Sequence, residues 1–174
     1  KPFRHDQCPL WRGENLSGKR ILLLEEQAVG DVMQFLTLIR PLLHEASSVS
    51  LLISDRLTAL YQRAFKTEIS SGILQIIPFS KINLISSAFE QFDYQSPLGS
   101  ICQYRFTELK YYGNNMPILR PDKELMMQLR QSYLQQFGQA KKIVGISWRG
   151  GGRADRIKQK SLPLELFTEL LKGF

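Results

Sequence analysis

The sequence has few of the residues that build disulfide frameworks and zinc sites. Of its 174 residues, two are cysteine and two are histidine, and Cys8 and Cys102 show no CxxC spacing. A disulfide scaffold and a zinc site are therefore disfavoured, and a sparing use of cysteine is typical of the reducing cytoplasm. We expect a cytoplasmic protein.

Long apolar runs and a leader sequence are also missing. No run approaches the roughly 20 apolar residues that a membrane-spanning helix needs. The first residues, Lys1 to Arg4, include neither an initiator methionine nor the apolar stretch of a signal peptide. The last residues stop where a helical pattern is finishing. These features predict a piece of a longer protein without a membrane span.

The charge is concentrated in one segment. The chain has 23 Lys+Arg against 16 Asp+Glu, a net charge of +7, and 43% of its residues are hydrophobic, enough for a packed core. Residues 141–160 contain seven basic side chains and one acid, a net charge of +6, and the rest of the chain carries only +1. This distribution favours a local anion site over a wholly basic surface.

Continuous apolar runs alternate with helical spacing along the chain. Such runs after turn signals predict buried parallel strands, here at 20–24, 49–53, 73–77, 92–94 and 142–148. The intervening spacing predicts helices that begin near Asp31 and Asp55, and Pro41 predicts a kink or a restart late in the first of them. The segment 96–100 has the composition of a loop.

The fold class that follows is α/β, a Rossmann-like parallel sheet flanked by helices. Asp122 and Gly138 mark the start and end of a long polar helix, and Pro163 opens a last helix. The strand, loop and helix after Gly138 predict the first unit of a second α/β domain. We therefore expect one domain at 1–138 and the start of a truncated second domain at 139–174.

The loop after the first predicted strand is acidic. Residues 25–31 carry three carboxylates and lack the GxGxxG pattern of a dinucleotide site. Carboxylates beyond the end of a parallel strand suit a general base or contacts to sugar hydroxyls. Each residue also has a structural explanation. Asp31 could be a helix N-cap, Gly30 could provide an unusual backbone angle, and Glu25 and Glu26 could be solvated.

The loop after the last predicted strand is basic and rich in glycine. Residues 148–160 contain three consecutive glycines and five basic side chains, which together suit a phosphate group. The loop lacks the GK[ST] ending of a Walker loop. Two alternatives remain open. The first is a flexible solvated loop, and the second is an RGG-like contact to nucleic acid, for which interleaved aromatic residues are absent.

The two loops with their flanks resemble a known family. Residues 11–19 and 26–35 are similar to the W-x-G-x-x-L-x-G-K and E-Q-G-x-G-D-x-x-Q-F motifs of the glycosyltransferase-like region that follows tetratricopeptide repeats in many bacterial proteins. Ala28 replaces the first glycine of the second motif. More distantly, Gly30-Asp31 resembles the Gly-Asp motif of the heptosyltransferases, which are glycosyltransferases of GT-B architecture.

The resemblance continues near the end of the chain. Residues 144–148 resemble the strand that opens the donor-binding domain of these families, and residues 160–163 resemble the K/R-S-x-P motif that follows it. The later D-[ST]-x-x-x-H segment of that domain has no counterpart here. The resemblance thus implies the acceptor-side domain and the first part of the donor-side domain, inactive without the remainder.

The resemblance also implies roles for individual residues. Asp31 would be the catalytic base, and Arg149, Lys160 and Ser161 would bind phosphate. The residues expected to bind substrate are Glu26, Gln27, Gly30 and Gln34. No metal and no cofactor is expected beyond a nucleotide-sugar donor, which would pass its sugar to a glycan or protein acceptor.

Other readings of function remain. One alternative is a non-catalytic protein-interaction module attached to tetratricopeptide repeats, and another is nucleic-acid binding through residues 149–160. The unfinished second domain could also mediate self-association.

Overall fold

The computed structural model describes residues 8–26, 28–82, 91–108, 118–138, 144–151 and 154–171. The chain forms two compact units, Lys1–Pro121 and Asp122–Phe174. The sequence places its domain boundary at 138/139 instead, and the assignment of an acceptor side and a donor side stays a prediction. Each unit is described by itself below.

The first unit is built on a parallel sheet. Its described strands are β1 (Arg20–Leu24), β2 (Ser48–Ile53), β3 (Leu74–Pro78) and β4 (Tyr94–Pro97). They lie in the order β3-β2-β1-β4, and every neighbouring pair is parallel. The described helices of this unit are α1 (Val29–Leu36), α2 (Arg40–Glu45), α3 (Asp55–Ala64), α4 (Lys66–Ser70) and α5 (Ile101–Arg105). The predicted α/β class with a parallel sheet is confirmed, as in Rossmann-like folds.

The apolar runs form strands because both faces of the sheet are covered. Side chains alternate between the faces of a strand, and Ile21 and Leu23 pack in the main core while Leu22 joins a smaller cluster. The smaller cluster contains Cys8, Leu22, Leu52, Ile77 and Phe92. A strand buried on both faces reads as a continuous apolar run, which explains why β1 is found at its predicted residues.

Pro41 lies at the start of a new helix. The first predicted helix is two helices, and Pro41 lies in the first turn of α2, where a proline costs no helical hydrogen bond. The next helix begins at Asp55, as predicted. Ser54 occupies the N-cap position of α3, and the Asp55 carboxylate instead accepts hydrogen bonds from the Ser80 N–H and hydroxyl.

The fourth strand lies later than predicted. It was expected at 92–94 and is found at Tyr94–Pro97, so Ser96 and Pro97 end a strand and do not begin a loop. Outside the sheet, residues 9–11 run along its edge: Gln95 N–H donates to Pro9 O at 2.9 Å, and Trp11 N–H donates to Gln95 O at 2.8 Å. Residues 98–100 then form a 3₁₀ turn.

The motif at 11–19 has a structural role. The Trp11 side chain is buried, and the guanidinium carbon of Arg105 lies 4.8 Å from the centre of its ring. Gly13 has φ +97°, and a Cβ there would lie 3.1 Å from the Tyr104 ring. The tryptophan and the glycine of the motif are therefore explained by packing beneath α5 and by backbone conformation.

The second unit contains three described helices, α6 (Lys123–Phe137), α7 (Ala154–Gln159) and α8 (Glu165–Leu171). The predicted boundaries of α6 are confirmed, since the Asp122 carboxylate accepts the Leu125 N–H at 3.1 Å and Gly138 follows with φ +76°.

The strand predicted at 142–148 is not observed where the structure describes it. Residues 144–148 form neither strand nor helix, and residues 142 and 143 lie outside the described residues. Within the described part of this unit no strand is available to pair with the segment, and an apolar run without a partner cannot form a ladder.

Within the described ranges, no helix is both long enough and apolar enough to cross a membrane.

Candidate functional site at the carboxyl edge of the sheet

The strand order creates a topological switch point. After β3 the chain returns to place β4 beside β1, so the direction of strand addition reverses between β1 and β4. In open α/β sheets, ligands bind in the crevice outside the carboxyl ends of the strands at such a point. The loops that follow β1 and β4 flank this crevice, and the first of them is the predicted acidic loop.

Glu25 is buried and links two loops. Its side chain is 8% exposed, and its Oε2 accepts the Ser54 N–H at 2.5 Å. Its own N–H donates to Leu52 O at 2.9 Å. The solvated position considered from the sequence is therefore wrong for Glu25, which ties the end of β1 to the start of α3.

Glu26 reaches the other loop of the switch point. Its half-buried side chain lies against Gly99, because a Cβ built on Gly99 would be 2.9 Å from Glu26 Oε1 and 3.0 Å from the Phe35 ring. Sequence reasoning missed both Gly99 and Phe35. The sequence carried no local signal for Gly99, because the fourth strand was predicted at 92–94 and residues 96–100 were predicted as a loop.

Asp31 contributes to the start of α1. It is the third residue of the helix, and its Oδ2 accepts the Ala28 N–H at 3.0 Å. Asp31 is therefore not the N-cap itself but reaches back to the N-cap residue, as the acidic member of a capping box does. The bond favours the structural explanation of this carboxylate, and its role as a base stays a prediction.

Two further residues predicted to bind substrate are accessible. Gly30 and Gln34 are exposed on α1. Gly30 is helical, its φ lies outside the positive range, and a Cβ there would meet nothing within 4 Å, so the idea of an unusual backbone angle is wrong. Gln27 lies outside the described residues.

In the second unit, the basic loop is closed on itself. Leu162 N–H donates to Trp148 O at 2.9 Å, and Gly150 N–H donates to Ser161 Oγ at 3.1 Å. A Cβ on Gly150 would lie 2.5 Å from Lys160 Cβ. These contacts bring together the three residues predicted to bind phosphate, because Arg149 precedes Gly150 and Ser161 follows Lys160.

The three predicted phosphate-binding residues differ in what they can offer. Arg149 and Lys160 are exposed, so their cationic ends can meet an anion. The Ser161 hydroxyl is already used, since it donates to Ile157 O at 2.6 Å while accepting from Gly150. We conclude that Ser161 holds the loop closed. Arg153, which contributes to the predicted charge, lies outside the described residues.

A small apolar pocket lies beside α1 and α3 in the first unit. Its volume is about 200 Å³, and it is lined by Met33, Leu36, Thr37, Tyr61, Ile118 and Leu119. The pocket lining is mainly apolar and includes two hydroxyl-bearing side chains, Thr37 and Tyr61, whereas the acidic loop offers carboxylates. For chemistry on polar substrates, the switch-point crevice is the better candidate.

Metal ligation has little support in the described ranges, where no group of three or more His, Cys, Asp or Glu side chains could hold an ion. The acidic loop belongs to the first unit and the basic loop to the second.

Comparison with known proteins gives limited information. No family model matches the chain, and no solved structure matches it. The chain is similar to Protein FlbA of Caulobacter vibrioides, with 24% identity in an alignment of 174 positions that covers 92% of this chain and 28% of FlbA. The chain thus spans well under half the length of that relative.

Proposed function

We propose that the chain is part of a glycosyltransferase of GT-B type, which moves a sugar from a nucleotide-sugar donor to a glycan or protein acceptor. The observation that carries the proposal is the position of the acidic loop, which follows β1 at the switch point between β1 and β4. That crevice is where open α/β sheets bind ligands, and its carboxylates suit an acceptor rich in hydroxyl groups.

In the first unit, the acceptor would meet Glu26 and the exposed part of α1. The amide of Gln34 is exposed, and the Glu26 carboxylate stands between the two loops of the crevice. Asp31 would take the proton from the attacking hydroxyl as the new bond forms to the anomeric carbon of the donor. The bond from that carbon to the diphosphate breaks in the same step, and the nucleoside diphosphate leaves.

In the second unit, the basic loop would receive the leaving diphosphate. Arg149 and Lys160 are exposed on a loop that is closed by hydrogen bonds from backbone and hydroxyl groups. Their charged side chains therefore extend from a restrained backbone. Cations placed where negative charge develops lower the barrier to departure of the diphosphate.

The test uses the full-length protein with a panel of UDP-, GDP- and dTDP-linked sugars. Asp31→Asn is informative because the asparagine oxygen can still accept the Ala28 N–H, so that the helix start is kept while the base is lost. We expect transfer to fall by about 100-fold or more with nucleotide binding unchanged. Glu124→Gln, which removes an equivalent charge from the first turn of α6, is the matched control.

Transfer at the wild-type rate in Asp31→Asn contradicts the assignment of the base. Failure of every nucleotide sugar to bind the full-length protein contradicts the proposal as a whole and favours the non-catalytic interaction module.

A further inference from the structure

Two carboxylates link neighbouring loops at the carboxyl edge of the sheet. Glu25 follows β1, and its Oε2 accepts the N–H of Ser54, which follows β2, at 2.5 Å. Asp55 lies one residue later, and its carboxylate accepts the N–H of Ser80, which follows β3, at 3.2 Å, together with the Ser80 hydroxyl. Each link joins a carboxylate to the backbone N–H of the next loop, and such charge-assisted bonds are stronger than neutral ones.

The two links differ in their distance from the switch point. β1 lies between β2 and β4 in the sheet, so the loop that carries Glu25 borders the crevice between β1 and β4. The loops that Asp55 joins follow β2 and β3, which lie on the other side of β1. The Asp55 link is therefore a control for the Glu25 link, with the same chemistry at a different place.

Glu25 is held at its backbone as well as at its side chain. Its N–H donates to Leu52 O at 2.9 Å, and the residue is 8% exposed. Because the carboxylate is buried and bonded to the Ser54 N–H, it acts within the protein and not on a substrate. The two bonds restrain the backbone at the residue that immediately precedes Glu26.

The position of Glu26 depends on this backbone. The Glu26 carboxylate lies against the loop after β4, since its Oε1 would be 2.9 Å from a Cβ on Gly99. Asp31, by contrast, is carried by α1, which has buried residues of its own in the main core. Loss of the Glu25 link should therefore displace Glu26 more than Asp31.

We propose that Glu25 is a positioning residue of the acceptor site, which holds Glu26 against the loop after β4 through its bond to the Ser54 N–H. The inference rests on the proposed function, because it takes Glu26 as a residue that binds a glycan acceptor. Loss of the bond weakens acceptor binding and leaves the chemical step largely intact, since Asp31 keeps its place on α1.

The functional test measures transfer by the full-length protein from UDP-, GDP- and dTDP-linked sugars to the methyl glycosides of glucose, galactose, mannose and N-acetylglucosamine. In Glu25→Ala we expect the KM for the glycoside to rise by about fivefold, within the energy of one hydrogen bond to a charged group, and kcat to stay within about twofold. Glu25→Gln keeps an oxygen that can accept the Ser54 N–H, so it should recover most of the loss. Asp55→Ala breaks the link to Ser80 and should leave the KM unchanged.

Amide hydrogen exchange gives a second readout that needs no acceptor. The Ile101 N–H donates to Leu98 O in the turn that carries Gly99. In Glu25→Ala that turn loses the restrained carboxylate beside it, so the Ile101 amide should exchange faster than in the wild type. In Asp55→Ala the same amide should exchange at the wild-type rate.

Ser54→Pro tests the same bond if Glu25→Ala does not fold. It removes the N–H and keeps the Glu25 side chain, and the φ of Ser54, −62°, suits proline. A wild-type KM in these variants, an equal rise in Asp55→Ala, or unchanged exchange at Ile101 overturns the positioning role while the proposed function stands. Absence of transfer by the wild type to every glycoside contradicts the proposed function for glycan acceptors, and the role of Glu25 fails with it.

Discussion

Glu26 and Gly99 occupy the two loops that flank the switch point of the sheet, and the carboxylate of Glu26 lies where a side chain on Gly99 would begin. The contact joins the end of β1 to the end of β4. The contact depends on the absence of a side chain at Gly99. The residues next to Gly99 in the sequence do not indicate this requirement.

Replacing Gly99 tests this contact. In Gly99→Ala the new Cβ would be 2.9 Å from Glu26 Oε1 and 3.0 Å from the Phe35 ring, so both side chains must move. We expect a loss of about 1 kcal/mol in the free energy of unfolding, measured by urea denaturation. Gly30→Ala is the control, because its Cβ enters open space and alanine favours a helix, with a gain of up to about 1 kcal/mol. Equal effects of the two changes would contradict the assignment.

The closure of the basic loop can be tested with a second pair of glycine variants. In Gly150→Ala the Cβ would be 2.5 Å from Lys160 Cβ, so the bond from the Gly150 N–H to Ser161 Oγ must break and the loop must open. Trypsin should then cleave after Arg149 and Lys160 faster than in the wild type, as followed by mass spectrometry. Gly151→Ala has free space at its Cβ, and cleavage of that variant should proceed at the wild-type rate. A change of rate in both variants would show that space at Gly150 is not the cause.

The binding of pyrophosphate tests whether the cationic side chains of the same loop bind a diphosphate group. Arg149→Ala and Lys160→Ala should each weaken its binding to the full-length protein by about tenfold, the worth of one charge-assisted hydrogen bond. Lys158→Ala is matched for charge and exposure and lies on α7, so it should have a smaller effect. Equal losses for all three variants, with a steep dependence on salt, would indicate a diffuse polyanion surface instead.

We expect Asp93 to stabilise the folded protein in a way that depends on pH. The Arg20 N–H donates to its carboxylate at 2.8 Å, and this bond, with the charges of Lys19 and Arg20, lowers the pKa of Asp93. Because the pKa is lower in the folded protein, the contribution is present above the unfolded value and is lost as the pH falls through the folded value. Asp93→Asn should therefore lower the urea midpoint at neutral pH and have a progressively smaller effect as the pH falls below the ordinary range of an aspartate pKa. A difference that does not change with pH would contradict this origin.

The sequence predicts the helices and strands that depend on residues close together in the chain. β1 and β2 are apolar on both faces, and the limits of α6 follow from Asp122 and Gly138. β4 was misplaced because Gln95 and Ser96 are polar yet buried, and Gln95 is paired with residues 9–11, more than 80 positions earlier. No local pattern contains that information.

In the candidate site too, local features are visible in the sequence and long-range contacts are not. The acidic character of the loop after β1 is visible in the sequence, whereas the burial of Glu25 depends on the N–H of Ser54, 29 residues away. The reverse error occurs at Val144 and its neighbours, where an apolar run predicted a strand that has no described partner to pair with. Pairing is a property of two segments, and one segment alone does not reveal it.

The backbone bonds between residues 9–11 and Gln95 have a consequence for association. A strand at the border of a sheet exposes unpaired N–H and C=O groups, which can template the addition of another chain. At β4 the outward N–H and C=O of Gln95 are occupied by Pro9 and Trp11 of the same chain. Edge-to-edge growth of the sheet is therefore blocked at this position of β4, and among the described strands the other border of the sheet is β3, which ends in Pro78.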